Sequence, residues 1–346
     1  MPSKLSLDLA TKPLSDSLLW EVIIIDFGFY DLVSRNAVCY RDKDAWFEVE
    51  SGQSLTFSQY KERVDRLAYG LQQAGIKKGD RVGVLGKNSL EYFLLFGAAA
   101  ALGAIMLPIN WRLSPDEVEF NLNDCTPRLV FVDKGFQDLI QGLKGRLSSV
   151  ERYYNLNQEG GDFLEFDSLM EIQDDFRPEE TSTDDGFVII HTAAVEGRPR
   201  GALLSHGNIL LGNMHFNYLF NLNDRDVHLN FLPLFHAGGL YMVTSSFHIG
   251  ALNLNMSQFD AVRAVELIEE KKVSLLMEFS PMLSSMLEQS EKTGKDMSSL
   301  RAVAGIDSPE IIEKYQQVTG GRYYCLYGQT ETSCVVTYGA FNERPG

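Results

Sequence analysis

From Asp80 onward, short β-type apolar runs alternate with segments whose apolar positions recur at helical spacing. That alternation marks βαβ units feeding a parallel sheet. It predicts a strand over 81–85, a helix over 89–102 capped by Ser89 or Asn88, a strand over 104–107, a helix over 115–123 and a strand over 129–133. The segment 157–185, polar and rich in Glu and Asp, reads as a surface excursion, and the pattern restarts with a strand over 187–191. Helices then fall over 205–219, 261–271, 281–289 and 309–318, with strands over 227–232, 251–254, 274–279, 300–304 and 322–326. The expected fold is α/β, two packed doubly wound subdomains over 1–200 and 201–346, with the early segment 1–75 free to pack on the second. The long uncharged stretch 93–109 contains Gly97, Gly103 and Pro108, so it predicts a buried helix followed by a buried strand rather than an integral membrane segment.

The 346 residues suffice for two domain-sized units. With 45% apolar and 23% charged residues, 29 Gly and 11 Pro, the chain has a globular composition that excludes collagen-like, mucin-like and coiled-coil classes. Lys plus Arg number 31 against 47 Asp plus Glu, a formal net charge of −16 that argues against nucleic acid and anionic membranes as partners. An anionic ligand would need a local pocket. Cys39, Cys125, Cys325 and Cys334 form no CxxC pair and read as free thiols in a reducing compartment. The first twenty residues lack a basic segment followed by an apolar one, and 22–25 is too short to serve, so a cytoplasmic location is expected. Nothing in the sequence fixes an oligomeric state.

Three stretches could carry chemistry. HTAAVEGRPRG, 191–201, joins a strand to the helix expected near Ser205. Backbone N–H groups of its glycine turn, that helix N-terminus and the cations Arg198 and Arg200 could hold a polyanion, although a plain βα loop would read the same way. LPLFHAGGL, 232–240, delivers Phe235 and His236 from a strand end, as the wall of a substrate pocket or as a partly buried histidine. YCLYGQTET, 324–332, offers the Tyr327 ring to a base, the Thr330 hydroxyl to a phosphate and Glu331 as a hard oxygen ligand for Mg²⁺, or forms a polar turn with an acidic cap. No Walker A, GxGxxG, GxSxG or HExxH pattern is present, which removes the usual support for P-loop, dehydrogenase, α/β-hydrolase and zinc-protease readings.

In this order, the stretches resemble the acyl-adenylate-forming, AMP-binding superfamily of acyl-CoA synthetases, luciferases and peptide-synthetase adenylation domains. LTFSQY at 55–60, the region 102–133, GRPRGALLSHGNIL, PLFHAGG and YGQTET carry the resemblance over about residues 50 to 340. It implies the layered αβαβα N-terminal domain of those enzymes. It implies also that Thr192, Gly197, Arg198, Arg200 and Gly201 contribute to an ATP phosphate loop and that Gly305, Ile306 and Asp307 flank adenine. Tyr327, Gly328 and Gln329 would border the nucleotide, Thr330 would approach the α-phosphate and Glu331 would hold Mg²⁺, these last two being the catalytic pair. Phe235, His236, Gly238 and Gly239 would line an acyl pocket. The implied reaction is attack of a small carboxylic acid on the ATP α-phosphorus, giving acyl-AMP and pyrophosphate, then acyl transfer to CoA. The FHAGG form resembles fatty or aryl acyl-CoA synthetases more than peptide-synthetase domains.

Two departures from the family pattern stand out. Ala193, Ala194, Val195 and Glu196 replace its Ser/Thr/Gly-rich run, and a carboxylate 4 Å from a phosphate costs on the order of 4 kcal/mol at an effective dielectric near 20. The sequence also reaches Gly346 without the motifs that follow YGQTET in the family, namely a small β-rich subdomain, a ribose-holding acid and a mobile lid with its catalytic lysine. On the resemblance, this is the N-terminal large domain without the C-terminal lid, inactive alone. The alternative is a non-catalytic acyl- or nucleotide-binding protein with a degenerate ATP loop.

Overall fold

The computed structural model describes residues 26–157, 160–170, 176–192 and 199–341. In chain order the elements are α1 (Phe29–Cys39), β1 (Asp44–Glu48), β2 (Ser54–Thr56), α2 (Phe57–Gln73), β3 (Arg81–Leu85), α3 (Leu90–Ala101), β4 (Ile105–Ile109), α4 (Pro115–Cys125), β5 (Leu129–Val132), α5 (Gln137–Leu143), β6 (Arg152–Asn155) and β7 (Gly186–His191). There follow β8 (Gly201–Ser205), α6 (His206–Leu219), β9 (Val227–Asn230), α7 (Ala237–Ile249), β10 (Leu252–Asn255), α8 (Ala261–Lys271), β11 (Leu275–Phe279), α9 (Met282–Thr293), β12 (Ala302–Ile306), α10 (Pro309–Thr319), β13 (Arg322–Tyr327) and β14 (Thr337–Ala340).

These strands build two sheets, one ordered β14-β13-β12-β11-β9-β10-β1-β2 and the other β6-β5-β3-β4-β7-β8. Pairing is parallel inside both and antiparallel at three edges, β2 on β1, β14 on β13 and β8 on β7. Parallel strands require both faces covered. Helices α1, α2, α3, α6 and α7 fill the space between the sheets, α4 and α5 cover the outer face of the six-stranded sheet, and α8, α9 and α10 cover that of the eight-stranded one. The α/β reading of the sequence is therefore the observed architecture.

The middle layer is aromatic. Trp46 of β1 stacks on Phe93 of α3 at 4.8 Å, Phe93 meets Phe247 of α7 at 5.6 Å, and Phe29 of α1 reaches Phe187 of β7 at 5.1 Å. One continuous core thus ties the two sheets together. Helix α3 is buried on every side, which explains its nearly unbroken apolar run. The LTFSQY motif has a local cause too: Thr56 caps α2, its Oγ1 accepting from Gln59 N at 3.2 Å while Gln59 Oε1 accepts from Thr56 N at 2.9 Å.

Several expectations shift. Strand 300–304 lies at Ala302–Ile306, so Gly305 and Ile306 end the strand rather than follow it. Strand 227–232 stops at Asn230, because Leu232 and Leu234 turn away to bond Asn88 instead of extending the ladder. The 157–185 excursion is not wholly surface: Phe166 and Leu169 are buried, and Phe166 packs edge-on against Phe131 of β5 at 5.9 Å. Before Asp80, helix α2 does carry the period, with Phe57, Tyr60, Val64, Leu67 and Leu71 buried along one stripe, and the expectations above pass over it.

Candidate functional site

The carboxyl ends of β4, β7, β11, β12 and β13 face a single cleft of about 1390 Å³, where ligands of open α/β sheets bind. Pro108 near the end of β4 and Asn110 and Leu113 after it, with Phe120 and Asn123 of α4, form one wall. The opposite wall comes from the eight-stranded sheet, with Met277 and Phe279 of β11, Gly305 and Ile306 of β12, and Leu326 of β13.

Thr192 closes the base of the 191–201 loop, its N donating to Arg200 O at 3.0 Å, and β7 and β8 run antiparallel with His191 opposite Gly201. Thr192 and Pro199 line the cleft, whereas Arg200 and Gly201, the next residues along, stand outside its lining. Gly197 and Arg198, like residues 193–196, lie outside the described residues. One expectation is corrected here. Strand β8 intervenes between loop and helix, and Ser205, the cap of α6, pairs with Gly186 at the opposite end of β7. Five strand residues at about 3.3 Å each put that helix N-terminus roughly 15 Å from Thr192, so it cannot help hold a ligand in the cleft.

His236 caps α7, its Nδ1 accepting from Gly238 N at 3.1 Å, which places the proton of the neutral ring on Nε2. Crowding by surrounding protein, with the Arg112 cation beside it, holds its pKa below the ordinary histidine value. Phe279 meets the His236 ring edge-on at 6.1 Å. Phe235 does the same to Trp111 at 6.4 Å, and Arg112 lies over Trp111 at 4.6 Å. Phe235, His236 and Gly238 line the cleft, whereas Gly239 packs inward, where a Cβ would fall 2.4 Å from Pro233 O.

After β13 the chain folds back tightly. A Cβ on Gly328 would fall 1.4 Å from Cys334 O, so only glycine admits this turn. Thr332 bonds Gln329 reciprocally, its Oγ1 donating to Gln329 O at 2.9 Å and accepting from Gln329 N at 3.2 Å. The turn so fixed presents Gly328, Gln329, Thr330 and Glu331 to the cleft and rests against β8. Tyr327 is 59% exposed and, with Asp307, stands outside the lining. Asp307 Oδ1 instead accepts from Ser308 N at 2.7 Å.

The described lining contains the carboxylates Asp116, Glu117, Glu119 and Glu331 but no Lys or Arg. A cation would ease the entry of a polyphosphate among these carboxylates, and the exposed Glu331 carboxylate supplies the hard oxygen donor that Mg²⁺ takes. Residues that motif reading does not single out include Trp111, Arg112, Met277 and Phe279. Trp111 and Arg112 stand in the loop directly after a predicted strand, the one signal that could have found them.

A sequence model of the family described as AMP-binding enzyme matches residues 33–346. The chain is 30% identical over 290 residues to an indoleacetate–CoA ligase of Aromatoleum aromaticum, covering 82% of this chain and 56% of that protein. It is 29% identical to a fatty acid–[acyl-carrier-protein] ligase, ScoC, of Streptomyces coeruleorubidus, covering 81% and 54%. The chain thus spans about half the length of the curated relatives it matches. Among solved structures, one from Rhodopseudomonas palustris named as a candidate long-chain-fatty-acid CoA ligase superposes with a TM-score of 0.88 at 38% identity, covering 93% of this chain and 80% of that one. The N-terminal domain of FACL13 from Mycobacterium tuberculosis gives 0.81 at 26% identity, covering 90% and 78%. Among the described residues, no helix is long and apolar enough to cross a membrane.

Proposed function

This chain belongs to the AMP-binding enzyme family, and from that premise we propose that it forms the nucleotide- and acid-binding body of an AMP-forming acid–thiol ligase. One observation carries the reading: Thr192, His236, Gly305, Ile306 and the 328–331 turn, separated widely in sequence, line one cleft. Gly305 and Ile306 give adenine a flat strand end, with Tyr327 at its border. The Gly328 and Thr330 N–H groups and the Thr330 hydroxyl meet the α-phosphate, and Thr192 with Arg200 meets the β- and γ-phosphates. Glu331 holds Mg²⁺, which neutralises phosphate charge that the acidic cleft would otherwise repel. The acid's carboxylate approaches between Thr330 and the neutral His236, while Phe235, Met277 and Phe279 receive its apolar part. Most of the rate enhancement such a site can offer is positioning and charge neutralisation. Transfer to CoA follows in the whole protein, and a cytoplasmic location suits that chemistry.

Calorimetry of the chain with Mg-ATP, alongside carboxylate-dependent ATP–pyrophosphate exchange, tests the proposal. Mg-ATP binding is expected, and exchange that depends on an added carboxylic acid would establish the first half-reaction. Retained binding of carboxylic acids without any ATP binding would overturn the ligase reading in favour of a non-catalytic acyl-binding protein.

A further inference from the structure

We propose that Asp124, Cys125 and His191 form a binding site for a divalent transition-metal ion of the zinc class, at the seam where the last turn of α4 meets the end of β7. Each residue brings one donor atom to a common point. His191 Nε2 stands 3.4 Å from Asp124 Oδ2 and 3.8 Å from Cys125 Sγ, and Cys125 Sγ stands 3.9 Å from the same carboxylate oxygen. With Zn–N and Zn–O near 2.0–2.1 Å and Zn–S near 2.3 Å, tetrahedral angles separate N from O by about 3.3 Å and S from either by about 3.5 Å. The three edges already lie close to those values. A contraction of a few tenths of an ångström, within the reach of side-chain torsions, would seat the ion.

Gly201 faces His191 across the β7–β8 pair, and a Cβ there would lie 2.7 Å from Ile189 Cγ2, 3.4 Å from His191 Nε2 and 3.6 Å from Cys125 Sγ, so glycine keeps side-chain bulk off the donors. The ligands also sit on fixed elements. Arg81 Nε donates to Cys125 O at 2.7 Å and its Nη2 to Thr126 O at 3.0 Å, locking the end of α4, while His191 belongs to a sheet strand.

The donor chemistry selects the ion class. A thiol, an imidazole and a carboxylate together suit Zn²⁺ or Co²⁺, whereas Mg²⁺ and Ca²⁺ take oxygen ligands. A Cys–His–Asp relay is excluded by geometry, since a relay uses both imidazole nitrogens and here thiol and carboxylate converge on Nε2 alone. The His191–Asp124 contact, at 3.4 Å, is longer than the usual N–H···O hydrogen bond. An ion bound here would pin the strand end that leads into Thr192. His191 also lines the cleft, but the three donors are argued from their own geometry, so the proposal does not rest on the nucleotide reading.

Cobalt(II) titration of the full chain, followed by absorption, is the test. One equivalent should bind with a thiolate charge-transfer band and the intense visible bands of tetrahedral Co²⁺. Cys125→Ser should abolish the charge-transfer band, and Asp124→Asn, at an exposed position that leaves folding intact, should weaken binding at least tenfold. A variant with Cys39, Cys325 and Cys334 all changed to Ser should retain the whole signal. Zn²⁺ should compete cobalt off and raise the melting temperature of the parent but not of Cys125→Ser. No thiolate band at excess cobalt, a band that survives Cys125→Ser, or unchanged affinity in Asp124→Asn would each overturn the site.

Discussion

The Tyr323 hydroxyl donates to Glu278 Oε1 at 2.6 Å, spanning from β13 to β11 across the intervening strand β12. Gly305 lies beneath this bond. A Cβ there would fall 2.9 Å from Glu278 Oε1, 3.0 Å from Tyr323 Oη and 2.2 Å from the Glu278 carbonyl oxygen. The glycine that the cleft presents is thus demanded by the layer behind it. Gly305→Ala should break the bridge and push β12 off its neighbour, costing about 1–3 kcal/mol by overpacking. Thermal melting should show the loss and calorimetry a weaker grip on Mg-ATP. A variant melting like the parent would show that the strands yield more easily than their spacing implies.

Glu278 itself should set a pH dependence. It is fully buried, its Oε2 has no partner among the described residues, and burial, with Asp307 adding to it, raises its pKa to about 7. An unfolded glutamate loses its proton near 4.5, so between there and about 7 the unfolded state sheds protons that the folded state keeps. Stability is therefore full below the lower value and falls as pH rises through the upper one, by roughly 3 kcal/mol at 1.36 kcal/mol per unit. Glu278→Gln keeps an acceptor for Tyr323 and removes the titration. The variant should gain melting temperature over the parent on going from pH 4.5 to pH 8; a constant difference across that range would place the titration elsewhere.

His236 has two separable roles. As the cap of α7 it accepts from Gly238 N, and as a cleft residue it faces the space assigned to the acid. Asn caps helices about as well as any residue, whereas Ala forfeits about 1 kcal/mol. His236→Asn should therefore melt close to the parent yet bind carboxylic acids more weakly, and His236→Ala should lose both properties. Equal acid affinity in all three proteins would restrict the histidine to capping.

The sequence discloses the strand–helix alternation after Asp80 because buried parallel strands must be apolar throughout and their helices must carry a stripe. It does not disclose β1 joining β10, since that pair is brought together across some two hundred residues. Nor does it disclose the polar chain through the sheet interior, where Asn230 bonds Asn255, which bonds Glu48. The motif residues of the 328–331 turn and His236 stand out because their types are chemically unusual at strand ends. Met277, Phe279 and Trp111 pass unnoticed because apolar and aromatic residues there read as core. The misplaced helix N-terminus has a different origin: GALLS, directly before a helical pattern, reads as the lead-in to that helix, yet it is β8 and moves α6 away from the loop.

Glu331 carries the sharpest prediction for the cleft, since its two readings differ in what a neutral isostere does. It sits in the first turn of a three-residue 3₁₀ segment, Thr330–Thr332, whose cap depends on Gln329 and Thr332. A carboxylate at so short a helical end is worth a few tenths of a kcal/mol at most, and its charge is exposed to solvent and salt. Glu331→Gln should therefore leave the melting temperature within about a degree of the parent. Its effect on ligand binding should be far larger, because a cation held among phosphates loses an anionic ligand in a cleft that excludes part of the water. Calorimetry should show Mg-ATP bound at least tenfold more weakly by the variant, and ATP in excess chelator bound equally by both proteins. Were the parent to bind ATP equally with and without Mg²⁺, the carboxylate would have no metal to hold and would be reduced to an ornament of the turn.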